Sequence, residues 1–198
     1  MSEEIDPFRS LVTSILGQQL SGAATKAIKA KLIGLYANEP DVDSTFPTPA
    51  RVAGTEINRL RSAGLSKRKA EYVQGLAAKF TFGELSNEML LDADDDEVME
   101  KLTAVRGLGQ WSVEMFAVFA LKRIDVFSTG DLGIQKGMAA FLGKDVRKLR
   151  AGGGGKWKYL SKQEMLEGSE KFKPYRSVFM WYMWRFGNVD AEALEVKI

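Results

Sequence analysis

The sequence contains neither cysteine nor histidine, and these absences narrow the chemistry sharply. Without cysteine there is no disulfide, no thiol nucleophile, and no Cys-ligated zinc or iron–sulfur cluster. Without histidine the commonest metal ligand and the commonest neutral-pH base are both missing, so acid–base work falls to Asp, Glu, Lys or Tyr. No apolar run is long enough to span a bilayer, and no charged-then-apolar amino terminus resembles a secretory signal. The chain therefore reads as soluble and intracellular, with no membrane partner. Excess charge is scarce too: 28 basic against 26 acidic side chains leave +2. That balance implies no nucleic-acid partner by itself, because the placement of charge matters more than its sum.

What is present points to an α-helical protein. The 198 residues, 45% of them hydrophobic, suffice for one sizeable domain or two small lobes. Apolar residues recur at helical spacing, and strand-like alternation is rare. Asp6-Pro7 is a cap followed by proline, opening a helix through Leu16. Ser21 caps a second helix running to about Tyr36. Thr48-Pro49 repeats the device for a short helix, and Ser66 caps one reaching about Phe80. The acidic stretch from Leu91 to Glu97 reads as a helix start, where carboxylates favour the dipole, in preference to a metal loop. Asp131 opens a helix to about Phe141. A glycine run, Gly152 to Gly155, interrupts the chain before two final helices, the last spanning Tyr175 to Arg185.

One motif carries chemical meaning. In Val105-Arg106-Gly107-Leu108-Gly109-Gln110-Trp111-Ser112, two glycines flank an apolar residue between two amphipathic helices. Glycine lets the backbone turn sharply and approach another surface. The helix beginning near Gln110 offers unpaired amides and a positive dipole end, which suit a phosphate. Leu108 plugs the turn into the core. The same pattern also fits a plain helix–helix turn. About twenty residues on, Asp125-Val126-Phe127-Ser128-Thr129-Gly130-Asp131 sets a carboxylate at a helix start.

Together with Ile15-Leu16-Gly17-Gln18-Gln19-Leu20-Ser21 early, and Lys173-Pro174-Tyr175-Arg176-Ser177 leading to Trp181–Trp184 late, these pieces occur in the order of a known family. The sequence resembles the helix-hairpin-helix (HhH-GPD) DNA glycosylases, most closely the fungal-type alkylpurine, or 3-methyladenine II, branch. The resemblance implies an all-α fold with two helical lobes around a cleft. One domain would cover 1–198, with lobes at roughly 20–125 and at 1–19 plus 126–198, and the helix-hairpin-helix at 103–115. The extra mixed α/β domain of a bacterial relative has no counterpart in the sequence. The segment 144–160 resembles a family-variable insertion.

The resemblance also implies roles. Asp131 is the expected catalytic carboxylate, stabilising positive charge that develops on the deoxyribose and orienting water; capping its helix is the competing reading, and both hold together. Family members that also cut the DNA backbone carry lysine at position 111 and form a Schiff base through it. Trp111 therefore implies hydrolysis without lyase activity. Trp111, Trp184, Met115 and Leu132 correspond to the base pocket, where aromatic faces attract a cationic alkylpurine and stack on a flipped base. Trp181 and Tyr182 compete with Trp184 for the inward face. The turn at Gln19 and Leu20 carries the wedge that fills the duplex gap, or is an ordinary turn. Gly107, Gly109, Ser112 and Lys136 are expected on the DNA backbone, with Lys67, Arg68, Lys69 and Arg176 as further phosphate contacts or plain surface charges. No cofactor is required; carbonyls of Thr103, Val105 and Leu108 would hold a sodium or potassium ion.

The implied function is a monofunctional DNA glycosylase of base excision repair. It would flip alkylated purines, 3-methyladenine and 7-methylguanine, out of duplex DNA and hydrolyse them off, acting as a monomer in the nucleus or, alternatively, in a bacterial cytoplasm. Its partner would be double-stranded DNA with damaged bases or abasic sites. A catalytically weak or silent damage-binding homologue of the same fold is the nearest rival. A glycosylase–lyase for oxidised pyrimidines and a helical protein scaffold are more distant ones.

Overall fold

The structure is a computed structural model and describes residues 5–37, 46–146, 149 and 159–188. Contacts divide the chain into two compact units, Met1–Leu121 and Lys122–Ile198. Among the described residues there is no strand, as an all-α fold requires, and no helix is long and apolar enough to cross a membrane. The glycine run and most of the 144–160 segment lie outside the described residues.

In the first unit, Asp6 caps α1 (Pro7–Gly17) by accepting from the Arg9 amide at 3.0 Å. Phe8, Leu11, Val12, Ile15 and Leu16 form its buried stripe, the i, i+3, i+4, i+7 spacing of an amphipathic helix. Ser21 caps α2 (Gly22–Gly34). Two short helices follow, α3 (Pro49–Gly54) and α4 (Ile57–Ser62). Ser66 caps α5 (Lys67–Thr81), which buries Ala70, Val73, Leu76 and Ala77. Then come α6 (Asn87–Asp92), α7 (Asp95–Thr103) and α8 (Gln110–Phe119). The acidic stretch behaves as a helix start: Asp94 accepts from the Glu97 amide at 2.8 Å, and Asp95, Asp96 and Glu97 fill the first turn of α7.

The expected grouping of residues 1–19 with 126–198 is corrected by this packing. Helix α1 sits against α2, α5, α6 and α8, and its apolar stripe is part of the first unit's core. Leaving that core would expose five large side chains, each contributing about 1.5–3 kcal/mol when buried.

In the second unit, Asp131 caps α9 (Leu132–Phe141). A reciprocal capping box between Ser161 and Glu164 starts α10 (Lys162–Glu170), and α11 (Arg176–Asn188) is the last described helix. Among the described helices of the unit, the closest packing is α9 against α11. It depends on glycine: a Cβ at Gly137 would lie 1.8 Å from the Met183 carbonyl oxygen, and one at Gly187 would lie 2.9 Å from the Gly133 oxygen. Phe172 stacks on Phe179 with centroids 3.8 Å apart, and the edge of Phe141 meets both.

The Glu164 carboxyl is held down from 4.5 to about 2, chiefly by the Lys144 ammonium, then by the Ser161 amide and hydroxyl. A depressed carboxylate adds stability that is complete above the unfolded value and is lost as pH falls through the folded one. Comparing denaturant unfolding of wild type and Glu164→Gln should therefore give a stability gap that is constant above about pH 5 and closes toward pH 2.

Candidate active site and nucleic-acid interface

Asp131 stands at the end of an irregular segment that α11 holds in place. Arg176 grips Asp125 through Nε at 2.7 Å and Nη2 at 2.8 Å, and its own amide donates to the same carboxylate. These bonds pull the Asp125 pKa below its usual value, with the Arg176 side chain the largest cause. The Ser177 hydroxyl donates to the Arg123 carbonyl at 2.7 Å and accepts from the Val126 amide at 3.0 Å. Gln135, fully buried in α9, donates to the Thr129 carbonyl at 3.1 Å. The backbone leading into Asp131 is thus fixed on both sides.

At Asp131 itself, Oδ1 accepts from the Ile134 amide at 3.0 Å and from Trp184 Nε1 at 3.1 Å. The cap and a positioned carboxylate are one arrangement. Gly133 makes room for it: a Cβ there would come within 3.0 Å of Trp184 Cδ1 and 3.1 Å of Asp131 Oδ1. The competition on α11 resolves in favour of Trp184, since Trp181 and Tyr182 are exposed and pack edge to face, with Arg185 lying over Trp181. Leu132, beside Asp131, is 49% exposed. Lys136 is half-buried on α9.

The hairpin lies in the first unit, between α7 and α8. Gly107 adopts a left-handed backbone (φ +101°), and a Cβ there would strike the Tyr72 ring at 2.4 Å. Leu108 is buried and plugs the turn as expected. Gly109 is the N-cap of α8 without a side-chain cap, and the space around its Cβ position is open. The first amides of a helix have no acceptor within it, so this start is open to an anion. Trp111, 52% exposed, stands on the first turn of α8, and Met115, half-buried, follows one turn later. The Thr103 hydroxyl turns back to the Met99 carbonyl at 2.7 Å, and the Val105 carbonyl accepts from the Leu108 amide at 3.1 Å. A carbonyl has two lone pairs, so the Val105 oxygen keeps one after accepting from the Leu108 amide.

Two expected contacts, Lys69 and Arg176, take other roles. Lys69 donates to the Leu16 and Gln18 carbonyls, both at 2.7 Å, so its ammonium caps the end of α1. Arg176 is committed to Asp125. Ser112 is buried, 8% exposed, which disfavours a hydroxyl contact with a phosphate. Lys67 and Arg68 are exposed. Gln19 is exposed with a left-handed backbone (φ +59°), and Leu20 beside it is also exposed. A surface recess of about 420 Å³ bordered by Tyr36, Arg51, Thr55 and Arg59 includes none of the expected site residues.

Residues 12–149 match the pattern of the HhH-GPD superfamily base excision DNA repair proteins. The chain belongs to that superfamily. The DNA-3-methyladenine glycosylase of Saccharomyces cerevisiae is 37% identical over 96% of this chain and 69% of its own length, which places the HhH-GPD chain in the fungal-type branch. Among solved structures, a DNA-3-methyladenine glycosidase from Bacillus halodurans is 35% identical with a TM-score of 0.75, covering 96% of this chain and 79% of that one. The 3-methyladenine DNA glycosylase of Schizosaccharomyces pombe, in complex with abasic DNA, is 27% identical with a TM-score of 0.68, covering 90% and 79%.

Four features of this HhH-GPD chain lie outside the sequence expectation: the glycines at 133, 137 and 187, and the Gln18 side chain, whose Nε2 donates to the Gly107 carbonyl at 2.7 Å. The four-residue spacing of Gly133 and Gly137 on a predicted helix was the available signal for a close helix crossing.

Proposed function

We propose that the chain is a DNA glycosylase that excises alkylated purines, 3-methyladenine and 7-methylguanine, from duplex DNA in base excision repair. One observation carries this reading: a carboxylate at the start of α9, oriented by a backbone amide and an indole N–H, in a chain 37% identical to a 3-methyladenine glycosylase. Breaking the N-glycosidic bond leaves positive charge on the sugar as the base departs. The Asp131 carboxylate stabilises that charge and directs water to the anomeric carbon. Alkylation has already made the purine a cationic leaving group, so one fixed carboxylate suffices for the bond to break. In the second unit, Trp184 beside Asp131 offers a face that stacks on the base and attracts its charge, with Leu132 as a further base contact. In the first unit, Trp111 and Met115 on α8 would serve as base contacts of the same kinds.

DNA would be held at the hairpin by the amides of Gly107 and Gly109, with Lys67, Arg68 and Lys136 adding charge, which gives affinity without sequence preference. Carbonyls of Thr103, Val105 and Leu108 would hold a monovalent cation that adds positive charge beside the phosphate. Gln19, with Leu20, would fill the gap left by the flipped base; an exposed non-glycine residue in left-handed backbone supports this, since such strain clusters at functional sites. We take the chain to act as a monomer in the nucleus. Kinship with the yeast enzyme supports that compartment, while relatives in Bacillus subtilis and Escherichia coli support the bacterial cytoplasm.

The test is release of free base from methylated duplex DNA, with borohydride trapping alongside. Free 3-methyladenine or 7-methylguanine should appear with no protein–DNA adduct, because Trp111 has no amine to form a Schiff base. Tight abasic-site binding without release would show a damage-binding protein instead, and a trapped adduct would show a lyase.

A further inference from the structure

The turn carrying Gln19 is tied to the hairpin by contacts that all lie within the first unit. Lys69 closes the end of α1 by donating to the Leu16 and Gln18 carbonyls, each at 2.7 Å, groups that a helix end leaves without intrahelical donors. Burial pulls the Lys69 pKa down, as befits an ammonium drawn away from water. Gln18 reaches from the same turn to the Gly107 carbonyl, again at 2.7 Å and partly buried. One turn along α5 from Lys69, the Tyr72 ring fills the space beside Gly107, and Arg106 lies over that ring, 5.5 Å from its centroid. A single face of α5 therefore supports both loops, and Gln18 joins them directly. Between its two anchored neighbours, α1 and Gln18 on one side and the Ser21 cap on the other, Gln19 keeps its left-handed backbone (φ +59°) on an exposed turn. Such a conformation persists only where surrounding structure over-determines it.

We propose that Gln18 and Lys69 are positioning residues that lock the Gln19 turn to the Gly107 hairpin, so that gripping the phosphate backbone and pushing Gln19 into the duplex become one rigid event. The proposal rests on the reading of the chain as a base-flipping glycosylase. It assigns neither residue a contact with the substrate. Without the lock, the hairpin would still bind the backbone, but Gln19 would lose the fixed reach needed to open a base pair. A lesion that is already unpaired would not need it.

The experiment uses duplexes with 2-aminopurine next to 7-methylguanine, the lesion either paired with cytosine or unpaired in a bulge, mixed with wild type, Gln18→Met, Lys69→Met and Lys69→Arg. The fluorescence rise reports opening of the stack, and base release reports chemistry. Both Met variants should slow the rise and the release from paired DNA by about tenfold or more, the effect of losing one partly buried hydrogen bond at Gln18 and two at Lys69. Release from the bulge and binding of abasic DNA should stay at wild-type levels, and Lys69→Arg, which keeps donors for both carbonyls, should restore the paired rate. Equal slowing on paired and bulged lesions, or abasic binding that falls in step, would reduce the two residues to a structural role and overturn the proposal. Wild-type rates in both Met variants would overturn it as well. A wild type that raises fluorescence in a Gln18-dependent way but releases no base would uphold the lock and sink the excision reading. Neither signal from the wild type would sink both.

Discussion

Asp131→Asn should abolish most base release while leaving the protein folded and able to bind abasic DNA. Asparagine is as good an N-cap as aspartate, and its amide oxygen can accept from the Ile134 amide and Trp184 Nε1 as Asp131 Oδ1 does, at 3.0 and 3.1 Å. The start of α9 and the indole therefore keep their places. What disappears is the negative charge beside the developing sugar cation. Losing one preorganised electrostatic partner slows chemistry by about 10²–10³-fold, or about 2.7–4 kcal/mol of transition-state stabilisation. Single-turnover release from methylated duplex measures it, since that rate excludes product dissociation. A loss below about threefold, under 1 kcal/mol, would mean that Asp131 is a cap and nothing more. An equal loss of abasic-DNA binding would place its role in holding the DNA.

Much of this architecture was legible because helix ends announce themselves chemically. Asp6 and Ser21 bind the amides of Arg9 and Ala24, Ser66 and Asp131 those of Lys69 and Ile134, and each stood in the sequence as a cap before an apolar-periodic run. Gly107 and Leu108 were equally readable, since a left-handed turn and its apolar plug are local demands on residue type. Less legible were features that depend on which helices meet. Nothing in Lys69 distinguishes an ammonium that closes a neighbouring helix from one that waits for a phosphate. The same holds for Arg176, whose partner Asp125 is 51 residues away. The placement of α1 failed for a related reason: its stripe says that it is buried but not against what. Gln18 read as a turn residue because the carbonyl it serves is 89 positions distant. Trp184 could be separated from Trp181 only by the crossing of α9 and α11.

That crossing gives the largest expected effect on stability, from Gly137→Ala. The added methyl would sit 1.8 Å from the Met183 carbonyl oxygen and 2.6 Å from its carbon. Backbone cannot swing away as a flexible side chain can, so the two helices must separate along their tightest contact. Overpacking of this kind costs about 1–3 kcal/mol and occasionally more; with no rotamer to relieve it, the upper end is expected, lowering the melting temperature by about 6–12 °C. The same substitution at Gly75 should act in the opposite sense. Gly75 lies inside α5 with nothing within 4 Å of its Cβ position, so alanine brings only its helix propensity, a gain of about 0.5–1 kcal/mol. Calorimetry on the two variants compares one chemical change in two surroundings. Trp184 and Gly133 share the crossing with Gly137, so the residual folded fraction of Gly137→Ala should also lose base release, through an indole no longer held against Asp131. If Gly137→Ala melts with wild type, α9 and α11 do not approach as closely as described, and the account of how Asp131 is positioned falls with it.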